Sequence, residues 1–113
     1  SKQIENYSRR DRFLFDPTIG LTYDTSAAKM RSVLEAMRKL LNDDENVIPG
    51  GRARFVGFND SSLDIEIFAY IRTNDYAEFL ARREQTLLKI MATIAREGAS
   101  MAFPTQTIEI KKT

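Results

Sequence analysis

Gly57-Phe58-Asn59-Asp60-Ser61-Ser62-Leu63-Asp64-Ile65-Glu66-Ile67-Phe68-Ala69-Tyr70 is a turn followed by an alternating strand. From Leu63 onward, Leu63, Ile65, Ile67, Ala69 and Ile71 share one face, while Asp64, Glu66, Phe68, Tyr70 and Arg72 share the other, because successive side chains of a strand point to opposite sides. The first set is a core face. The second begins acidic and turns aromatic, which predicts that something other than water covers its far half.

Just upstream, residues 52–59 read as a second strand, with Ala53 and Phe55 on one face and Arg54, Val56 and Phe58 on the other. The short link Asn59-Asp60-Ser61-Ser62 makes the two strands a hairpin. Nearer the start, Phe13, Phe15, Pro17, Ile19, Leu21 and Tyr23 alternate. Because Pro17 lacks the N–H a ladder needs, the expected strand covers about 18–23 with an irregular or edge-like approach. Asp24, Thr25 and Ser26 all suit a helix N-cap, and Met30, Val33, Leu34, Met37, Leu40 and Leu41 then follow at steps of three and four, the signature of an amphipathic helix. That helix runs into the acidic loop Asn42-Asp43-Asp44-Glu45-Asn46, and Pro49-Gly50-Gly51 supplies a further turn, since these residue types favour turns over helix. Asp75, with Glu78 three residues later, opens a second helix whose expected apolar stripe is Tyr76, Phe79, Leu80, Leu87, Ile90, Met91 and Ile94, and Gly98 stands where a left-handed cap belongs. A last strand is expected at 106–111. The order β-α-β-β-α-β predicts an α+β, ferredoxin-like sandwich, two helices on one face of a small sheet.

The chain's 113 residues suit one domain, with 1–12 as a lead-in, 13–102 as the α/β unit and 103–113 as a C-terminal strand segment. Lys+Arg 17 against Asp+Glu 16 leaves a net charge of +1, which provides no global field to gather nucleic acid or an anionic membrane. Cysteine and histidine are both absent, which rules out disulfides, thiolate nucleophiles, a Ser-His-Asp triad and a histidine zinc site within this chain. The longest strictly apolar run, Ile67-Phe68-Ala69-Tyr70-Ile71, falls far short of the roughly 20 residues that span a bilayer. The opening Ser1-Lys2-Gln3-Ile4 has neither an initiator Met nor a signal-peptide core, which fits a fragment of something longer.

Few side chains suggest chemistry. Asp64 and Glu66 share a strand face, roughly 7 Å apart by strand rise. A general acid/base pair or a hard-metal site needs further oxygens or bases that the sequence does not supply, so a solvated sheet face is the simpler expectation. Asp43-Asp44-Glu45 lacks the EF-hand spacing and reads as a solvated loop. Pro49-Gly50-Gly51-Arg52 lacks the phosphate-loop pattern. Arg54-Phe55-Val56-Gly57-Phe58 is only distantly similar to the aromatic strand of RNA-recognition domains, and the near-zero net charge argues against RNA. Arg9-Arg10-Asp11-Arg12 is a short basic segment of the kind that serves as a linker or an ion-pair partner. Met30 and Met37 belong to the core stripe. No catalytic residue, cofactor or metal is expected.

Taken in order, Asn6-Tyr7-Ser8-Arg9-Arg10-Asp11, Thr18-Ile19-Gly20-Leu21-Thr22-Tyr23-Asp24-Thr25, the stretch from Phe55 to Tyr70, and Ala102-Phe103-Pro104-Thr105-Gln106-Thr107-Ile108 resemble the cytoplasmic C-terminal domain of the small-conductance mechanosensitive channel (MscS) family. The resemblance covers nearly the whole chain. It implies a parent protein with a tension-gated transmembrane pore and a small β domain, to which residues 1–12 would be the link. It also implies a homo-oligomer, seven subunits around a hollow cytoplasmic vestibule with side portals, at the inner membrane. The C-terminal segment would join a small intersubunit barrel. On that reading the candidate interface residues are Phe58, Phe68, Tyr70, Phe103, Ile108 and Ile110, and Arg9, Arg10, Asp43, Asp44 and Glu45 are candidate portal or linker charges because they are charged and expected in loops. Partners are then other copies of the chain together with its own pore and β domain, without nucleic acid and without membrane insertion by this fragment. The competing expectation is a small-ligand regulatory module, since this fold hosts many binding functions; an RNA-binding module is the third.

Overall fold

The computed structural model describes residues 11–102. Leu63–Arg72 (β4) is its central strand, and Leu63, Ile65, Ile67, Ala69 and Ile71 are all buried while Glu66 and Arg72 are exposed. Antiparallel to β4 on one side lies Arg52–Phe58 (β3). On the other side lie two short strands in succession, Arg12–Phe15 (β1) against the far end of β4 and Thr18–Leu21 (β2) against its near end. The break between them is the Asp16-Pro17 step, and the Ile67 N–H spans it by donating to the Pro17 carbonyl at 3.0 Å. The approach, expected to be irregular or edge-like, is a short strand at the sheet edge. Proline ends the ladder for one residue, but its acceptor keeps the edge line on course. Tyr23 leaves the expected alternation because the chain turns at Thr22, whose carbonyl accepts from the Thr25 N–H at 3.1 Å.

Met101 forms an antiparallel bridge with Leu21. Flanking it are Thr22 N–H to the Ser100 carbonyl at 3.0 Å and Ala102 N–H to the Gly20 carbonyl at 2.9 Å. The chain after the second helix thus joins the free edge of β2, which completes the lateral order of a ferredoxin-like sheet. The strand expected at 106–111 lies outside the described residues.

Helix α1 (Ala27–Asp43) starts at Ser26, whose hydroxyl accepts from the Lys29 N–H. Of the three residues suited to cap it, Thr25 and Asp24 are used in the preceding turn, both bonded to Thr22. Met30, Val33, Met37 and Leu41 bury the face predicted. Helix α2 (Tyr76–Arg96) is capped by the Asp75 carboxylate, which accepts from the Glu78 N–H at 3.2 Å. Its buried face is Phe79, Thr86, Ile90, Thr93 and Ile94. Tyr76 and Met91, expected in the stripe, are 60% and 54% exposed. The period of 3.6 turns Thr86 and Thr93 inward in their place, and an apolar count passes over threonine. α1 lies over the β3 side, where Arg38 Nε donates to the Ala53 carbonyl at 3.1 Å. α2 lies over the β1 side, where Phe13 stacks on Phe79 with centroids 4.9 Å apart.

α2 ends in a Schellman arrangement, Ala99 N–H to the Ile94 carbonyl at 3.1 Å and Gly98 N–H to the Ala95 carbonyl at 3.0 Å, with Gly98 at φ 83° as that cap requires. Lys29 Nζ donates to the Glu97 carbonyl at 2.8 Å. A Cβ on Gly98 would meet that same Nζ at 2.8 Å. Gly98→Ala is therefore expected to cost about 1–2 kcal/mol, backbone strain plus a displaced Lys29. A thermal midpoint equal to that of the parent chain would refute this.

Candidate functional site

The outer sheet face, opposite the helices, is where the sequence places its unexplained aromatics. Cross-strand register sets Leu14 opposite Tyr70, Arg52 opposite Phe68, and Thr18 and Arg54 on either side of Glu66. Phe68 and Tyr70 are half-buried and meet edge to face, centroids 5.8 Å apart and ring planes at 88°, the arrangement that aromatic quadrupoles favour. The Arg52 guanidinium sits 4.6 Å from the Phe68 ring centroid, and that of Arg12 sits 5.6 Å from the Tyr70 centroid. Each such cation–π contact contributes about 0.5–1 kcal/mol when exposed. Part of the cover expected for this face therefore comes from the chain itself: arginines from both flanking strands fold over the aromatic end. Leu14 stays 46% exposed beside them.

At the other end of β4 the two carboxylates differ. Asp64 accepts from the Ser62 hydroxyl at 2.6 Å and from Asn59 Nδ2 at 3.3 Å, so it closes the hairpin. Asp64 is thus a turn residue, and Glu66 stands exposed between Thr18 and Arg54. Among the described residues no three His, Cys, Asp or Glu side chains converge as a metal site would need.

Phe58 is not part of this face. Between Phe55 and Gly57 the register of β3 shifts by one, so that Phe55 pairs with Ile65 but Phe58 with Leu63. The extra residue, Val56, is a bulge, and a bulge moves everything beyond it to the other side of the sheet. Phe58 consequently joins Phe55 on the helix side, edge to face at 5.3 Å, and is 78% exposed. With Met30, Leu34 and Leu63 the two rings line an apolar groove of ≈ 320 Å³ at the start of α1, rimmed by Arg31.

The acidic loop also divides. Asp43 is exposed in the last turn of α1 and paired with Lys39 at 3.1 Å, and Glu45 is exposed. Asp44, expected to be solvated with them, is buried. Its carboxylate accepts from the Asn46 N–H at 2.9 Å, the Thr86 hydroxyl at 3.0 Å and Lys89 Nζ at 3.1 Å. Asn46 continues the network to Gln85 at 3.1 Å and Arg82 at 2.7 Å, and Arg82 continues it to Glu78 at 3.0 Å. Burial pushes the Asp44 carboxyl up, but the Asn46 N–H, Lys89 and Thr86 outweigh it and hold it below its ordinary 3.8. Asp44 is thus a clasp between the α1–β3 loop and α2 and does not face solutes. Arg9, Arg10, Phe103, Ile108 and Ile110 lie outside the described residues.

The family model for the C-terminal region of the mechanosensitive ion channel MscS matches residues 16–101. The low conductance mechanosensitive channel YnaI of Escherichia coli is 36% identical over 96% of this chain and 32% of its own length. An uncharacterized MscS family protein of Aquifex aeolicus is 34% identical over 99% of this chain and 31% of its own. The small-conductance mechanosensitive channel MscMJ of Methanocaldococcus jannaschii is 32% identical over 96% and 31%. The chain thus spans about a third of the length of these relatives.

Proposed function

Because the chain belongs to the family of C-terminal domains of MscS mechanosensitive ion channels, we propose that it forms the wall of an oligomeric cytoplasmic vestibule in front of a tension-gated pore. It is a channel domain, not an enzyme. Among the described residues no helix is long and apolar enough to cross a membrane; in the proposed reading the pore and the β domain are supplied by a longer parent chain in the inner membrane, as the one-third coverage of the relatives suits. In that parent seven subunits surround the vestibule, and solutes enter through portals between them. The exposed charges Asp43 and Glu45 are proposed to face those portals, where local charge biases which ions approach.

The observation that supports a structural role most directly is the outer sheet face. Its side chains are arranged for packing: two aromatics at right angles, each under an arginine, with Leu14 open beside them. A face of this kind fits a neighbouring subunit or the preceding domain, since aromatic and arginine residues dominate interface cores. A parent channel carrying Phe68→Lys and Tyr70→Lys together is expected to yield about tenfold less assembled oligomer in detergent. Osmotic-release activity should fall with it. Normal assembly and normal release in that variant would remove the interface from the proposal.

A further inference from the structure

The two helices lie side by side on the sheet, yet their outward faces differ. The outward face of α1 carries Arg31, Glu35, Arg38, Lys39 and Asn42, the charged surface a solvated helix normally presents. On α2 the positions turned away from the core run Ala77, Ala81, Glu84, Leu88, Met91 and Ala95. Their spacing of four, three, four, three and four makes one seam along the helix. All six are exposed, Leu88 at 56% and Met91 at 54%, and only Glu84 is charged.

A second exposed apolar surface lies on the opposite flank. The groove at the end of β3 presents Phe55 and Phe58 above Met30, Leu34 and Leu63, with Arg31 at its rim. The groove side carries an exposed ring, Phe58, and the seam carries exposed alanines whose small side chains leave room for one. The two surfaces are complementary in charge, one arginine against one glutamate. Among the described residues neither Arg31 nor Glu84 has an ion-pair partner.

Resting on the oligomeric reading above, we infer that the α2 seam of one subunit packs into the Phe55–Phe58 groove of the next copy, with Glu84 meeting the neighbour's Arg31. The occupant is a second copy of this chain. Two different patches on opposite flanks form a heterologous contact, which closes into a ring when the rotation allows. A ring with an odd number of subunits requires such a contact, because it contains no two-fold axis. Pairing α2 with α2 across a two-fold would instead leave Phe58 and its groove uncovered.

The chain contains no cysteine, so in a parent channel whose remaining cysteines, where present, are replaced by serine, the contact can be tested by placing two. Phe58→Cys and Leu88→Cys go into separate copies of the parent channel, co-expressed in membranes and treated with a short bismaleimide. Dimers linking the two differently tagged copies are expected, with neither variant cross-linking to itself. The double variant should give a ladder beyond the dimer. Arg31→Glu is expected to lower the cross-linked yield about fivefold, and adding Glu84→Arg should restore it. Glutaraldehyde on the same membranes reports assembly independently. Oligomers with glutaraldehyde but none between positions 58 and 88 would overturn the contact and leave the oligomeric reading standing. Efficient self-linking of Leu88→Cys would replace it with a two-fold arrangement. Monomers throughout would remove both.

Discussion

Asp44→Ala is expected to destabilise the domain by about 2–4 kcal/mol, read as a lower urea midpoint at an unchanged slope. The size follows from what the substitution leaves behind. Lys89 is half-exposed and can return its ammonium to water, but the Thr86 side chain and the Asp44 site are fully buried. The Asn46 N–H and the Thr86 hydroxyl would lose their acceptor where little water can replace it, and unsatisfied buried donors each cost about 1–3 kcal/mol. Asp44→Asn keeps an acceptor and should lose roughly half as much. Thr86→Val made on top of Asp44→Ala should cost little or recover part of the loss, because it removes one of the orphaned groups. The same clasp makes the domain acid-sensitive. A carboxyl held below its ordinary 3.8 in the folded state contributes stability that is complete above that value and is lost as pH falls through the folded value. Glu78, lowered by Thr73 and then by Arg82, titrates in the same direction, so Asp44→Ala should flatten the acid limb of stability without abolishing it. An unchanged midpoint at neutral pH, or an unchanged acid limb, would show that the clasp contributes nothing.

Legibility in the sequence follows the range of the interactions. β4 is readable residue by residue because its alternation depends only on which side of the pleat each position takes, and all five apolar positions from Leu63 to Ile71 are buried. The N-caps at Ser26 and Asp75 are readable because each accepts a hydrogen bond from three residues away. Asp44 is not, since Thr86 and Lys89 lie 42 and 45 positions along the chain, and locally the residue is one acid among three. The bulge at Val56 is half-visible. Gly57 marks a place where a strand can deform, at φ 157°, but only the pairing with β4 shows which residue is extra. That one-residue shift separates Phe58 from Phe68 and Tyr70 and gives the domain two aromatic surfaces instead of one. The arginines over Phe68 and Tyr70 come from two other strands, so the alternation of β4 predicts that its far half is covered without saying by what.

Ile67→Ala is expected to cost about 3–4 kcal/mol, near the upper half of the range for truncating a buried isoleucine. Ile67 has no exposed surface and sits at the middle of the central strand. Its neighbours cannot close the gap. Across the ladder it faces Ala53, itself buried, too small to fill the space. On the other side its N–H is fixed to the Pro17 carbonyl at 3.0 Å, where the edge line is already broken, so backbone movement there would cost the bond that carries β1 into β2. A cavity that cannot collapse keeps its full penalty. Ile67→Val, which removes one methylene, should cost about 1 kcal/mol, whereas Phe58→Ala, on a ring 78% exposed, should change the isolated chain by less than about 0.5 kcal/mol. Urea titration of the three variants separates these values. A loss below about 1 kcal/mol for Ile67→Ala would mean that the helices or Ala53 do collapse inward, contrary to the packing described. The ordering bears on assembly as well. Phe68 follows Ile67 on the same strand, so the rigidity of the outer face depends on the core directly beneath it. On the proposed oligomeric reading, Ile67→Ala should therefore impair assembly only to the extent that it unfolds the domain, whereas Phe68→Lys and Tyr70→Lys should impair it while the domain stays folded.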